Sequence, residues 1–191
     1  MSYEVWSTRY ALGLTALATV SKKIARYADL QERLQQTDVS SDSDYQRTFS
    51  GYYRMGQRPP NWYSHYFSIL EREKRNSTLL FQDVLNELYN ETQRVEVSFA
   101  SKLLATVRPE KPVYDKYVRE NLSIITPPPS WLPSKRIQGF IETYSLLETE
   151  MSKVLLTQSF LDFSKEFDKQ FPEFSNFTPM KKLDLLLWQT R

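Results

Sequence analysis

The residues best able to do chemistry fall in two short stretches. In residues 97–118 (VSFASKLLATVRPEKPVYDKYV), Lys102 stands among the small residues Ser98, Ala100 and Ser101, and Asp115 follows the breaks at Pro109 and Pro112. A lysine that has lost its proton is a nucleophile able to attack a sugar C1′, and a carboxylate can stabilise the oxocarbenium ion or activate water there. Lys102 and Asp115 are therefore the candidate catalytic pair, and one cleft could receive both. Between Ser98 and Arg119, five cations (Lys102, Arg108, Lys111, Lys116, Arg119) face two carboxylates, Glu110 and Asp115, an excess suited to phosphate contact. Each member of the pair also has a plain structural use. Asp115 is a natural N-cap for a helix opening at Lys116, and Lys102 taken alone is a surface lysine with its stem laid on apolar neighbours.

The second stretch, residues 45–63 (YQRTFSGYYRMGQRPPNWY), carries Arg47, Arg54 and Arg58 without an acidic residue, interleaved with Tyr45, Phe49, Tyr52, Tyr53, Trp62 and Tyr63. Guanidinium groups pair with phosphates and aromatic faces stack on bases, so the composition suits a single-stranded or flipped nucleotide. Tyr52, Tyr53 and Trp62 are the candidates for base contact and Arg54 and Arg58 for phosphate, with Arg108, Tyr114 and Lys116 completing the substrate-binding set. The alternative is an inter-helix loop that drops its aromatics into the core and leaves its arginines in water.

At these residues the chain resembles a known family. The pattern F-A-S-K-L-L followed by R-P-E-K-P-V-Y-D-K-Y-V is similar to the lysine-to-aspartate stretch of the helix-hairpin-helix DNA glycosylase superfamily, particularly its 8-oxoguanine glycosylase-like branch and compact bacterial relatives. The resemblance implies an all-α, two-lobed fold and excision of a damaged or hypermodified base from DNA, in some compact members as a defence against phage. It implies a Schiff-base lysine at Lys102 and a catalytic aspartate at Asp115, reached through Pro112-Val113-Tyr114. Ser98 and Ser101 stand where the family hairpin has glycines, and the lysine-to-aspartate spacing is shorter than in typical members.

Composition closes off other chemistries. Of 191 residues none is Cys, which removes disulfides, thiolate metal sites, iron–sulfur clusters and cysteine nucleophiles. His65 is the one histidine, so a two-histidine metal site or relay cannot be built, and neither a metal nor a cofactor is expected. Gly13, Gly51, Gly56 and Gly139 fit no dinucleotide or P-loop pattern. A formal charge of +2 announces no long-range field, so any basic surface is local. No uninterrupted apolar run is long enough to span a bilayer and the N-terminus lacks a basic flank and apolar block, so a cytoplasmic protein without membrane contact is expected. DNA containing a modified base is the expected partner. The rival functions are a non-catalytic helical DNA-binding protein and an intracellular protein-interaction module, and salt dependence of binding separates the last from both DNA readings.

Positioning these residues falls to helices, because apolar spacing is helical almost throughout and no strand-like alternation of useful length occurs. Tyr10, Leu14, Leu17, Ile24, Tyr27 and Leu34 predict one or two helices over residues 4–35. The polar stretch from Gln36 to Gly51 reads as a loop. Helices follow over about residues 61–75 (Trp62, Tyr66, Ile69, Leu70), from a cap at Ser77 or Thr78 to about residue 93 (Leu80, Phe81, Val84, Leu85, Leu88), over 97–107 and over 115–121. Pro127-Pro128-Pro129 and Pro133 then impose an extended crossing. Ser134 caps a long helix (Ile137, Phe140, Ile141, Tyr144, Leu147, Met151, Val154), a phenylalanine stripe follows (Phe160, Phe163, Phe167, Phe171), and Thr178-Pro179 opens a closing helix with Met180, Leu183, Leu186, Leu187 and Trp188. The expectation is a single all-α unit over residues 1–191, with lobes at 1–126 and 134–191 on either side of the proline crossing.

Overall fold

The computed structural model describes the backbone of residues 3–189, the burial of Gly13 and the side chains of residues 21–188, and every regular element among the described residues is helical. The first helix, α1 (Tyr3–Gln36), runs unbroken for 34 residues. Ile24, Tyr27, Leu30 and Leu34 recur every three or four positions on its inner face and are fully buried, while Tyr10, Leu14 and Leu17 fall outside the described side chains.

The segment from Gln36 to Gly51 is not a loop throughout, because α2 (Ser43–Tyr52) occupies most of it. Asp42 accepts the backbone N–H groups of Asp44 and Tyr45, and Tyr45, Phe49 and Tyr52 then present one buried face at helical spacing. Of the Ser and Asp residues that signalled a loop, Asp42 is the cap of a helix, whereas Asp38, Ser40 and Ser41 form the turn before it. α3 (Pro60–Glu73) opens with proline at its first position, and Trp62, Tyr66, Ile69 and Leu70 are buried as the spacing predicted.

α4 (Phe81–Thr92) is capped by neither Ser77 nor Thr78. The Thr78 hydroxyl bonds Asn76, and Asp83 reaches back from the first turn to accept the Leu80 N–H. Phe81, Val84, Leu85 and Leu88 are buried, but Leu80, outside the helix, is exposed. α5 (Val97–Val107) and α6 (Lys116–Asn121) have the predicted boundaries, with Asp115 as the N-cap of α6.

α7 (Pro133–Leu155) starts one residue before the expected Ser134 cap, since Pro133 takes the first helical position and Leu132 the N-cap. Gly139 of α7 lets the proline crossing lie against the helix, where a Cβ would meet Pro127 at 2.8 Å and Trp131 at 3.2 Å. α8 (Gln158–Gln170), capped by Thr157, buries Phe160, Phe163 and Phe167, and a single 3₁₀ turn (Pro172–Phe174) leads to α9 (Pro179–Gln189).

The packing follows from these faces. α1 carries α2, α8 and α9 along its length, α4 lies between α5 and α7, and α9 touches α1, α6, α7 and α8. A helix surrounded on that many sides is buried nearly all round, so α9 encloses Lys181, Lys182 and Asp184 together with Leu183, Leu185, Leu186 and Leu187. No helix among the described residues is long and apolar enough to cross a membrane.

Candidate active site

The connection between α5 and α6 is pinned at three points, and the pins place Asp115 relative to Lys102. The Thr178 hydroxyl donates to the Pro109 carbonyl at 2.6 Å, and the Tyr144 hydroxyl donates to the Pro112 carbonyl at 2.8 Å. On α5 itself the fully buried Ser101 hydroxyl accepts the Tyr114 N–H at 2.9 Å and donates to the Ser98 carbonyl at 3.0 Å. The backbone just before Asp115 is thereby stitched to the residue just before Lys102.

Lys102 and Asp115 line one small cavity together with Tyr52, Tyr53, Val113, Asp184 and Trp188. Tyr53 is held there by its hydroxyl, 3.2 Å from Thr106 Oγ1, which in turn donates to the Lys102 carbonyl at 2.7 Å. Trp188, half-buried on the last turn of α9, leans on Tyr52 at 6.2 Å between ring centres, and Lys23 and Arg54 lie over its ring at 4.5 and 5.5 Å. The cavity is a slot of about 10 Å³, the room of a single water molecule.

Charge in the slot is distributed unevenly. Lys102 is only 8% exposed and its side chain makes no ion pair or hydrogen bond among the described residues; its ammonium rests 5.2 Å from the Phe99 ring centre. Burial pushes its pKa below the ordinary lysine value, with Asp115 and then Asp184 opposing the shift from a distance. Both carboxylates are occupied elsewhere. Asp115, half-buried, accepts the Tyr117 N–H at 2.8 Å, and Asp184 binds Lys181 at 2.7 Å. Burial also raises the Tyr52 and Tyr53 hydroxyls, so both stay neutral. A desolvated amine and a half-buried carboxylate flanking an aromatic slot can deliver a nucleophile and stabilise a cation in the same place.

The structure thus brings Lys102, Asp115, Tyr52 and Tyr53 together, with Arg54 at the rim over Trp188 and Lys116 exposed beside Asp115. The other candidates go elsewhere. Arg58 and Trp62 line a separate cleft of about 450 Å³ with His65 and Arg94. Arg58 is clamped by Glu96 through two hydrogen bonds of 3.0 and 3.2 Å, and Arg94 leans on the same carboxylate at 3.6 Å, so that cleft has little positive charge to spare. Trp62 stacks on Tyr66 inside the core. Arg108 binds Glu110 and the Leu79 carbonyl, and Tyr114 is buried edge-on to Phe140.

Asp184, Lys181 and Trp188 were not singled out as site residues from the sequence. A signal was present: Leu183 and Leu185–Leu187 leave no polar side of useful width on that helix, so charges among them must be buried and paired. Among the described residues no cluster of three His, Asp or Glu side chains could hold a metal ion. No protein-family model, curated protein or solved structure matches the chain.

Proposed function

We propose that the protein is a DNA glycosylase that flips a damaged or modified nucleotide out of the duplex and cleaves its N-glycosidic bond. The observation that carries the reading is Lys102: a buried amine with no counter-ion within ion-pair distance, sharing a slot with the Asp115 carboxylate and two tyrosine rings. A lysine serving only to hold phosphate has no reason to be desolvated. The flipped base enters between Tyr52 and Trp188, which must part, because the closed slot admits little more than water.

Asp115 faces the sugar and stabilises positive charge as the C1′–N bond breaks, its electron pair leaving with the base. In the hydrolytic route water adds to C1′ and its proton passes to the departing base. In the lysine route the Lys102 lone pair forms the bond to C1′, the amine proton passes to the base, and the sugar ring opens to an imine. Burial, which favours the neutral amine, supports the second route.

The test is mass spectrometry of free bases released from DNA panels carrying oxidised, alkylated, deaminated and hypermodified bases. Asp115→Asn is expected to slow release by about 10²–10⁴-fold, and Lys102→Ala to abolish strand cleavage and borohydride trapping. No release from any panel, with salt-sensitive DNA binding retained, would leave a non-catalytic DNA-binding scaffold.

A further inference from the structure

The slot is lined by two carboxylates and one lysine, and a second lysine outside the lining, Lys181, pairs with one of those carboxylates. Asp184 lines the slot beside Lys102, yet its Oδ2 is held at 2.7 Å by Lys181, one turn back on α9. Lys181 is 4% exposed, and its ammonium sits 4.2 Å from the Tyr27 ring centre, 5.3 Å from Tyr52 and 6.0 Å from Tyr53. Three aromatic faces and one carboxylate make a cage for a cation that never reaches solvent. Neighbouring Lys182 cannot substitute, because Asp168 and the Ser175 carbonyl hold it.

We infer that Lys181 is a positioning residue for Lys102: by keeping Asp184 in an ion pair inside the tyrosine cage, it withholds that carboxylate from the Lys102 amine and leaves the amine free to react. This rests on the reading of Lys102 as a nucleophile. The groups around Lys102 make the point electrostatically. α9 supplies Asp184, the α5–α6 connection supplies Asp115, the end of α2 supplies Tyr52 and its C-cap Tyr53, and Arg58 shares the Phe99 ring at 4.8 Å; behind Asp184, Lys181 of α9 meets Tyr27 of α1. The tyrosines stay neutral, Arg58 is neutralised by Glu96, and Asp115 is tied to a helix N-terminus. Of the two carboxylates, Asp115 is the larger influence on Lys102 but is fixed at the α6 N-terminus, so Asp184 is the one whose pairing can change the charge on Lys102. Burial is the strongest single influence on Lys181 and opposes its charge, but Asp184 together with the Tyr52, Tyr53 and Tyr27 hydroxyls outweighs it and holds the Lys181 pKa well above the ordinary value, so the cage cation persists wherever Lys102 loses its proton to water in the slot.

The experiment is competitive acetylation of the intact protein with trace acetic anhydride, which labels each lysine in proportion to its neutral fraction. Peptide mass spectrometry then reads the titration midpoint of Lys102 against exposed Lys116, Lys135 and Lys165 in the same sample. In the wild-type protein Lys102 is expected to titrate below those three. In Lys181→Met, Asp184 turns to Lys102, and the Lys102 midpoint is expected to rise by about one pH unit, leaving about tenfold less neutral amine below the midpoint. In Lys181→Met/Asp184→Asn it is expected to return to the wild-type position or lower. Borohydride trapping on abasic DNA should shift with pH in parallel.

An unchanged midpoint in Lys181→Met, or a double variant as high as the single, overturns the role of Lys181 alone. A wild-type Lys102 that titrates with the exposed lysines overturns that role and the nucleophile reading together. Should Lys181→Met not fold, the double variant carries the test, since it leaves no lone buried charge; a midpoint above wild type there also overturns the inference.

Discussion

At the scale of single residues, Ser101 is the hinge between sequence and site. Its hydroxyl takes a backbone N–H from another segment while sitting one position before Lys102, so the distance from amine to Asp115 depends on one short side chain. Ser101→Ala leaves the buried Tyr114 N–H without an acceptor, which is expected to cost about 1–3 kcal/mol. In a chain of this size each kcal/mol lowers the melting temperature by about 2–4 °C. Thermal melts check the stability loss, and base release corrected for the folded fraction should fall further, because Asp115 loses its anchor. Lys102 is marked in the sequence by its small neighbours Ser98, Ala100 and Ser101, and Asp115 could be singled out as a candidate because proline breaks and helix caps are local signals. The fate of Arg58 could not, since its partner Glu96 lies 38 residues away and nothing in its own stretch is acidic.

At the scale of elements, α2 shows where local signals mislead. A run of Ser and Asp competes for backbone hydrogen bonds and reads as a loop, yet the same chemistry at one position, Asp42, starts the helix that carries Tyr52 and Tyr53 to the slot. The stripe Tyr45, Phe49, Tyr52 was legible but too short to outweigh the polar residues before it; α1 and α3, which bury those rings, decide the matter. The Tyr45 backbone N–H, then Arg33 and Thr37, hold the Asp42 carboxyl below its ordinary pKa. A depressed carboxylate stabilises the fold fully above its unfolded value, about 4, and loses that contribution as pH falls through the folded value. Asp42→Ala is therefore expected to lower the melting temperature at neutral pH, with the gap to wild type closing in acid. Melting curves across the acidic range check it: a gap that stays constant would mean the cap acts through something other than its charge.

At the scale of the whole molecule, the formal charge is only +2 and most of the cations are paired, so phosphate contact at the slot must rest on a few local side chains. Most large cations are spoken for: Arg33 by Asp42 and Asp44, Arg58 by Glu96, Arg72 by Glu87, Arg108 by Glu110, Lys111 by Glu148 and Lys182 by Asp168. Three cations stand at the mouth: exposed Arg54 and half-buried Lys23 over Trp188, and Lys116 next to Asp115, 68% exposed and 3.9 Å from Glu120. A DNA complex centred on the slot should therefore use few phosphates and show a shallow salt dependence, each phosphate neutralised contributing about −0.9 to the slope of log K against log salt. Arg54→Ala and Lys116→Ala are each expected to reduce that slope by about one, whereas Lys165→Ala, on the exposed face of α8, should leave it unchanged. Fluorescence anisotropy on a short duplex, titrated over a range of salt, measures all four proteins. Equal effects from Lys165 and the mouth residues would place DNA on the surface at large and detach the slot from binding. Effects confined to Arg54 and Lys116 would tie phosphate contact to the cavity that holds Lys102.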